Sequence, residues 1–318
     1  MGKVSEAGFA AAGSMERLCE LLQATGMGPG WDKPEPSLWS FPKKTFVPAH
    51  WEYSLAKPAL DAAGLFVDTE HAERRNLILF NPIAGNHYAT ASTMIAAYQM
   101  VLSNETARSH RHTPNALRLV VDARPGAYTI VEGRKIPMVP GDVLLTPNWC
   151  WHGHRNESDE CAYWIDFLDA PLVQLLGPMF FEPFPGGVER TEEPDEGTPM
   201  RFPFSEVRRR LDSAAESQPG RRDLRIGPPY LDSMAIFVSR LEAGGAFVAE
   251  RATANSIFAV IEGQGRSIVD DKEFDWRRGD VFVVPSWHRH TCRAVETSYV
   301  LRVTDEPVMQ QLNWLRQE

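Results

Sequence analysis

Cysteine is scarce in this chain. Cys19, Cys150, Cys161 and Cys292 are all there are in 318 residues, and no two form a CxxC pair. That number and scatter exclude a disulfide scaffold or a paired-thiolate zinc site. Excess positive charge is missing too. Thirty-three Lys and Arg stand against 42 Asp and Glu, a formal charge of −9, whereas a nucleic-acid binder needs a basic face for phosphate. No apolar run approaches the ~20 residues that span a bilayer. Residues 1–12 hold one lysine among alternating small residues, without the charged and then continuously apolar segments of a secretory leader. These absences predict a reduced, cytoplasmic, soluble protein that partners neither nucleic acid nor membrane. The length suits about two domains.

The first stretch reads as helical. Residues 13–27 space Met15, Leu18, Leu21 and Leu22 along one face, with Ser14 as N-cap and Gly26 as stop. Residues 28–51 then hold five prolines and three tryptophans, which no regular helix or central strand accommodates. Their aromatic content predicts an extended arm packed on its own domain or on a neighbouring subunit. A short helix is expected over 54–64 and another over 205–215. From residue 74 the texture changes to short apolar runs between glycine and proline, such as NLILFNP, ALRLVV, GAYTIV and YWIDFLD. After a polar stretch it resumes with MAIFVSRL, SIFAVIEG and TSYVLRV. Close-set runs of this length predict an all-β sandwich or barrel. The expected divisions are 1–73 for the helix and arm, 74–185 and 225–318 for two strand-rich units, and 186–224 for a linker.

The two units are copies. GDVLLTPNWCWH starts at Gly141 and GDVFVVPSWHRH at Gly279, an offset of 138 residues. Upstream, TMIAAYQMVLSNE from Thr93 faces SMAIFVSRLEAGG from Ser233, an offset of 140. A tandem repeat of small antiparallel barrels follows.

Four of the nine histidines fall in the first copy as two HxH pairs, His110/His112 and His152/His154. Residues i and i+2 of a strand share a face. One pair therefore presents two imidazoles to the barrel interior, and a strand some 40 residues on is expected to supply a third from the opposing wall. Three neutral imidazoles with open positions make a catalytic rather than a structural metal site, although a histidine triad binds several divalent ions.

The combination HRHTPNALRLVV, GDVLLTPNWCWHGHRNE and YWIDFLDAPLV resembles the gentisate 1,2-dioxygenases and their salicylate and 1-hydroxy-2-naphthoate relatives in the cupin superfamily. The resemblance runs from about Trp51 to the end of the chain. It implies a bicupin, two double-stranded β-helix jelly rolls behind a short helical N-terminal region. It also implies Fe(II) held by His110, His112 and His152, O2 as co-substrate and a homotetramer. No glutamate completes the ligand set, because Ala116 and Leu117 occupy the usual positions. By the same resemblance His154 contacts substrate or oxygen, Arg118 faces the substrate carboxylate, and Gln99 and Asp166 line the pocket. Asp166 sits in an apolar strand and needs a partner there, Arg118 or an imidazole. Its alternative is a solvent-facing strand edge. Either Arg74 or Arg75 supplies a further cation, or both are ordinary surface residues.

The implied reaction inserts both oxygen atoms between the carboxyl- and hydroxyl-bearing carbons of an ortho-hydroxy aromatic acid. Gentisate is the first choice, then salicylate, 5-substituted salicylates such as 5-nitrosalicylate, and 1-hydroxy-2-naphthoate. Pro114, Asn115, the DARPG turn and Ile95 depart from the family pattern at the substrate rim. Two other classes stay open: a non-catalytic metal- or ligand-binding bicupin, and a cupin isomerase or hydrolase on another divalent metal. In the second copy only His290 stands at a ligand position, with His288 out of phase, so that unit reads as a metal-free scaffold. His50, His71 and His87 read as structural or surface residues, and Trp149, Trp151 and Trp287 as barrel packing.

Overall fold

The computed structural model describes the chain apart from residues 1–3, 34, 70–71, 73, 192–193 and 228–230. His71 lies outside the described residues. Residues 1–43 form one compact unit and residues 44–318 another.

In the first unit the expected helix runs Met15–Ala24, and Ser14 Oγ accepts from Arg17 N at 3.2 Å. A short helix, Glu6–Ala10, precedes it with Ser5 as its cap. Trp31, Trp39 and Phe41 of the proline-rich arm stay more than half exposed. The far end of the arm belongs to the second unit and is packed there. Its strand Ala49–Trp51 pairs with Val281–Val284, and the helix Tyr53–Ala63 follows.

The second unit holds two barrels, each made of two facing antiparallel sheets. Among the described residues, the first barrel sets a six-stranded sheet against a five-stranded one. The larger sheet includes Ile95–Val101, Ala116–Asp122, Val143–Thr146 and Ala162–Leu168. The smaller includes Glu105–His112, Ala127–Val131 and His152–Asn156. The second barrel repeats the plan, with Ala235–Leu241, Ser256–Glu262 and Ser298–Thr304 opposite Ala246–Ala249, Gln264–Val269 and His290–Ala294. The large sheets are buried on both faces. Alternate residues such as Tyr98, Leu119 and Ile165 join one apolar core with Ile236, Ile257, Val281 and Leu301 of the other barrel. The intervening residues, Gln99, Arg118 and Asp166, therefore face the interior of the first barrel.

The repeated Gly-Asp pair has a structural reason in both copies. Gly141 and Gly279 have φ of +88° and +86°, a region that favours glycine. A Cβ there would lie 2.8 Å from the ring of Phe204 and 2.7 Å from that of Tyr53, respectively. Those aromatics begin the helices Phe204–Ser213 and Tyr53–Ala63. The neighbouring Asp142 and Asp280 accept the backbone N–H of the same two residues at 2.8 and 2.9 Å. A carboxylate at a helix start satisfies an orphan donor and favours the dipole. Each barrel thus carries a strand and helix clamped by its own Asp. The clamped segment that precedes the first barrel in sequence belongs to the second.

Candidate metal centre

The Glu105–His112 strand pairs with His152–Asn156, but the register slips. Ala107 faces His154, and His110 faces His152. Arg108 and Ser109 together therefore oppose the single Gly153, which is a β-bulge. The extra residue flips the side-chain phase, so that Ala107 and then His110 and His112 all point inward. Gly153 is glycine for lack of room: a Cβ there would lie 2.5 Å from Ser109 Oγ and 3.2 Å from Ser109 Cα.

Ligand atoms of His110, His112 and His152 all lie within 4.8 Å of one another. The third imidazole comes from the adjacent strand of the same sheet, not from the opposing wall. Directly paired residues have Cβ atoms ~5 Å apart, close enough for one ion to touch all three rings. Backbone carbonyls orient two of the rings. Pro114 O lies 2.8 Å from His112 Nδ1, and Cys150 O lies 3.0 Å from His152 Nδ1. A carbonyl only accepts, so both Nδ1 atoms carry the proton and both Nε2 atoms present lone pairs. Burial, with the neighbouring His110, pushes the pKa of His112 down to about 4. The same two causes hold His152 well below the usual imidazole range. Neutral, oriented, carboxylate-free nitrogen donors fit a divalent transition metal.

The wall facing this cluster is cationic and polar. Arg118 is 1% exposed and stands beside Asp166 in the register of paired strands. Its continuity with His112 is broken, because the chain turns at residues 113–115 and resumes in the other sheet. Its inward aim therefore comes from the alternation of its own strand, not from that of the His112 strand. Arg118 Nη1 lies 3.0 Å from Thr129 Oγ1 and 2.9 Å from His154 Nδ1, and Nη2 lies 3.1 Å from Thr146 Oγ1. Its Nε is 3.3 Å from Asp166 Oδ1. That is ion-pair distance, yet neither atom makes a hydrogen bond among the described residues. Burial outweighs Asp166 and lowers the Arg118 pKa; a guanidinium nevertheless keeps its charge in proteins.

His154 stands between the metal cluster and this wall. Thr129 Oγ1 is 3.2 Å from its Nδ1, and its ring lies 4.8 Å from that of Trp164. Burial first, then Arg118, hold it well below the usual imidazole pKa, so it is a neutral ring. Gln99 is buried, and its Oε1 accepts from Arg74 Nε. The charge of Arg74 is felt at His112, His154 and Arg118. Arg75 points elsewhere, to Glu105 and to the carbonyl of Val67. Of the two arginines that sequence left unresolved, Arg74 is the one at the site. Trp149 and Trp151 are not barrel packing: each faces the Arg111 guanidinium, at 4.5 and 4.4 Å, on the side of the strand away from His110 and His112.

The described geometry can be set beside known proteins. Residues 97–168 and 237–305 each match the family model for the cupin domain. The chain is 32% identical to 5-aminosalicylate 1,2-dioxygenase of Comamonas sp, over 96% of this chain and 90% of that protein. It is also 32% identical to gentisate 1,2 dioxygenase 1 of Aquipseudomonas alcaligenes, over 93% and 94%. Its fold superposes on the salicylate 1,2-dioxygenase of Pseudoaminobacter salicylatoxidans, solved as adducts with gentisate, with a TM-score of 0.90 at 27% identity. That match covers 100% of this chain and 95% of the other.

Proposed function

The chain belongs to the bicupin ring-cleaving 1,2-dioxygenases of the gentisate and salicylate type, and on that premise we propose that it is Fe(II)-dependent and cleaves gentisate or a 5-substituted salicylate. The observation that carries the reading is the histidine triad opposite a wall that holds Arg118, Gln99 and Asp166. His110, His112 and His152 would hold the iron, which when bound supplies Lewis acidity and electrons to O2. A divalent cation and Arg118 outweigh the charge of Asp166. A carboxylate with an ortho phenolate answers that excess, which supports an ortho-hydroxy acid over a neutral ring.

The chain's own groups then have separable roles. Arg118, held from behind by Thr129, Thr146 and Asp166, orients the substrate carboxylate with its planar fork. Gln99, aligned by Arg74, contacts the ring substituents. His154 is neutral, and Arg118 Nη1 lies 2.9 and 3.1 Å from its two ring nitrogens. One nitrogen accepts from the guanidinium, and the other carries the proton that can be donated to oxygen that gains charge during the reaction. Asp166 fixes the guanidinium that fixes His154. The apolar ring of Trp164 excludes water from the far side of that imidazole.

The test is O2 uptake by iron-loaded protein with gentisate, 5-aminosalicylate, salicylate and 1-hydroxy-2-naphthoate. We expect one O2 per ring opened, with gentisate or a 5-substituted salicylate fastest. No uptake with any of the four overturns the reading. Reconstitution with Zn(II) separates iron from a bare Lewis acid, since only the redox-active ion supports uptake. We further propose a cytoplasmic homotetramer. Exposed Trp31, Trp39 and Phe41 support association, and sedimentation that gives a monomer at micromolar concentration overturns it.

A further inference from the structure

The second barrel lacks the triad but is not filled. Its inner end is packed with Trp276, Cys292, Ala294 and Val300. Its outer end opens into a cavity of about 550 Å³ lined by Arg221, Arg302, His290, Phe247, Phe258 and Val284, among others. That is within the size range of small-molecule sites. Strand pairing puts Ala249 opposite His290, where the first barrel has His110 opposite His152. At this point the second barrel has a methyl group where the first has an imidazole, and two guanidiniums line the cavity beside it.

We propose that this cavity is a metal-independent binding site for a small organic carboxylate with an apolar body. Arg302 enters from the large sheet and stacks on Phe237, 4.3 Å from the ring centroid. Its Nε is buried and makes no hydrogen bond among the described residues, and Glu306 stands 3.9 Å from its Nη2. Arg221 stacks on Phe247 at 3.9 Å and is partly answered by Asp223 at 2.8 Å. Both charges act on His290, whose Nε2 lies 3.0 Å from Ser267 Oγ and whose Nδ1 is buried without a hydrogen bond among the described residues. Two buried nitrogens without partners on one cavity are costly unless a ligand meets them.

The acidic residues on the wall are already engaged. Glu250 lies 3.4 Å from Arg289 Nη2, and Glu318 lies 2.8 Å from Arg251 Nη1. His288 Nδ1 is met by Ser286 O at 3.0 Å. Arg221 is answered by Asp223, whereas Arg302 meets Glu306 only at 3.9 Å and keeps a buried Nε without a hydrogen bond among the described residues. Arg302 is therefore the cation most open to an anionic ligand, while Phe247, Phe258, Val284 and Pro285 give the flanks an apolar surface. A planar carboxylate matches a guanidinium edge, and an aromatic or branched body matches those flanks. The inference does not rest on the reaction proposed for the first barrel.

Equilibrium dialysis of radiolabelled benzoate against the full-length metal-loaded protein tests it, counted as equivalents per chain. Arg302→Gln removes the charged partner. Ala254→Phe leaves the arginines intact and fills the cavity from a loop that lines it. We expect each variant to bind one equivalent fewer than the parent while its metal content and O2 consumption stay unchanged. The unchanged readouts exclude a folding failure. Equal benzoate binding in the parent and both variants overturns the proposal. So does loss in Arg302→Gln with full retention in Ala254→Phe, since that places the arginine's effect outside the cavity.

Discussion

Arg118 is the residue whose loss separates binding the metal from using it. Among the described residues its polar contacts are with His154, Thr129, Thr146 and Asp166 and not with the triad. Arg118→Ala should keep its iron by elemental analysis and lose roughly 30-fold or more in kcat/KM, from ~2–5 kcal/mol for a truncated charge pair. Arg118→Lys should recover part of that, because an ammonium lacks the bidentate fork. Unchanged kinetics in a folded Arg118→Ala enzyme would remove the carboxylate clamp. His112 gives a pH signature instead. Its pKa is near 6.5 in a free imidazole and about 4 in the fold. Between those values the unfolded chain holds more protons, so this group's stability contribution is full above about pH 6.5 and declines as pH falls toward 4. The stability difference between metal-free parent and metal-free His112→Gln should shrink from about pH 7 to pH 5; a flat difference in urea titrations contradicts it. The sequence singles out the triad, Arg118, Asp166, Gln99 and His154, and the fold brings them into one barrel. It names Arg74 only as an alternative to Arg75, because only the fold shows which of the two meets Gln99.

At the scale of elements, regular strands and helices follow from local pattern. ALRLVV, GAYTIV and YWIDFLD each form a strand, and the helices at Met15–Ala24, Tyr53–Ala63 and Phe204–Ser213 begin within two residues of where capping and spacing put them. The β-bulge at Arg108–Ser109 left no such trace. Period-2 reading assumes an unbroken phase, and one added residue reverses it. The third histidine was assigned to the wrong wall for another reason: which strands lie side by side is set by the topology of the sheet, not by local pattern. Gly153 makes the bulge testable. Gly153→Ala drives a methyl into Ser109, and overpacking of this kind costs ~1–3 kcal/mol. Part of that strain should part the His152 strand from the His110 strand, so the variant should bind iron more weakly in chelator competition. Adding Ser109→Ala removes the nearest atom and should restore some of the loss. Iron affinity equal to the parent's in Gly153→Ala would show that the strand pair has slack at this point.

Residues 44–318 hold a pair of barrels wired to each other across the sequence repeat. The repeat itself is plain in the sequence, but the wiring across it is not, since reciprocal contacts leave no local pattern. Asn115 N and Nδ2 donate to Asp169, and Asn115 also reaches Ser233 of the other barrel at 3.0 Å. The mirrored set has Asn255 donating to Asp305 at 2.7 Å, with Thr93 of the first barrel donating to the same carboxylate at 2.5 Å. Tyr98 of the first barrel donates to Gly279 O of the second at 2.8 Å. Burial raises the pKa of both aspartates, and either half alone would expose these carboxylates together with one side of the shared apolar core. The segment Ala49–Ala63 adds a strand and a helix to the second barrel from the front of the chain. We therefore propose 74–185 and 225–318 as repeats and not as independent folding units. Expressed separately, residues 44–224 and 225–318 should each be insoluble or lack a cooperative thermal transition. The first should also fail to hold iron, although it contains every ligand. Co-expression should restore a soluble, iron-binding complex, because the missing faces are supplied in trans. A cooperative melt and stoichiometric iron in residues 44–224 alone would show that the first barrel stands without its partner, and that the shared core only fastens two finished domains.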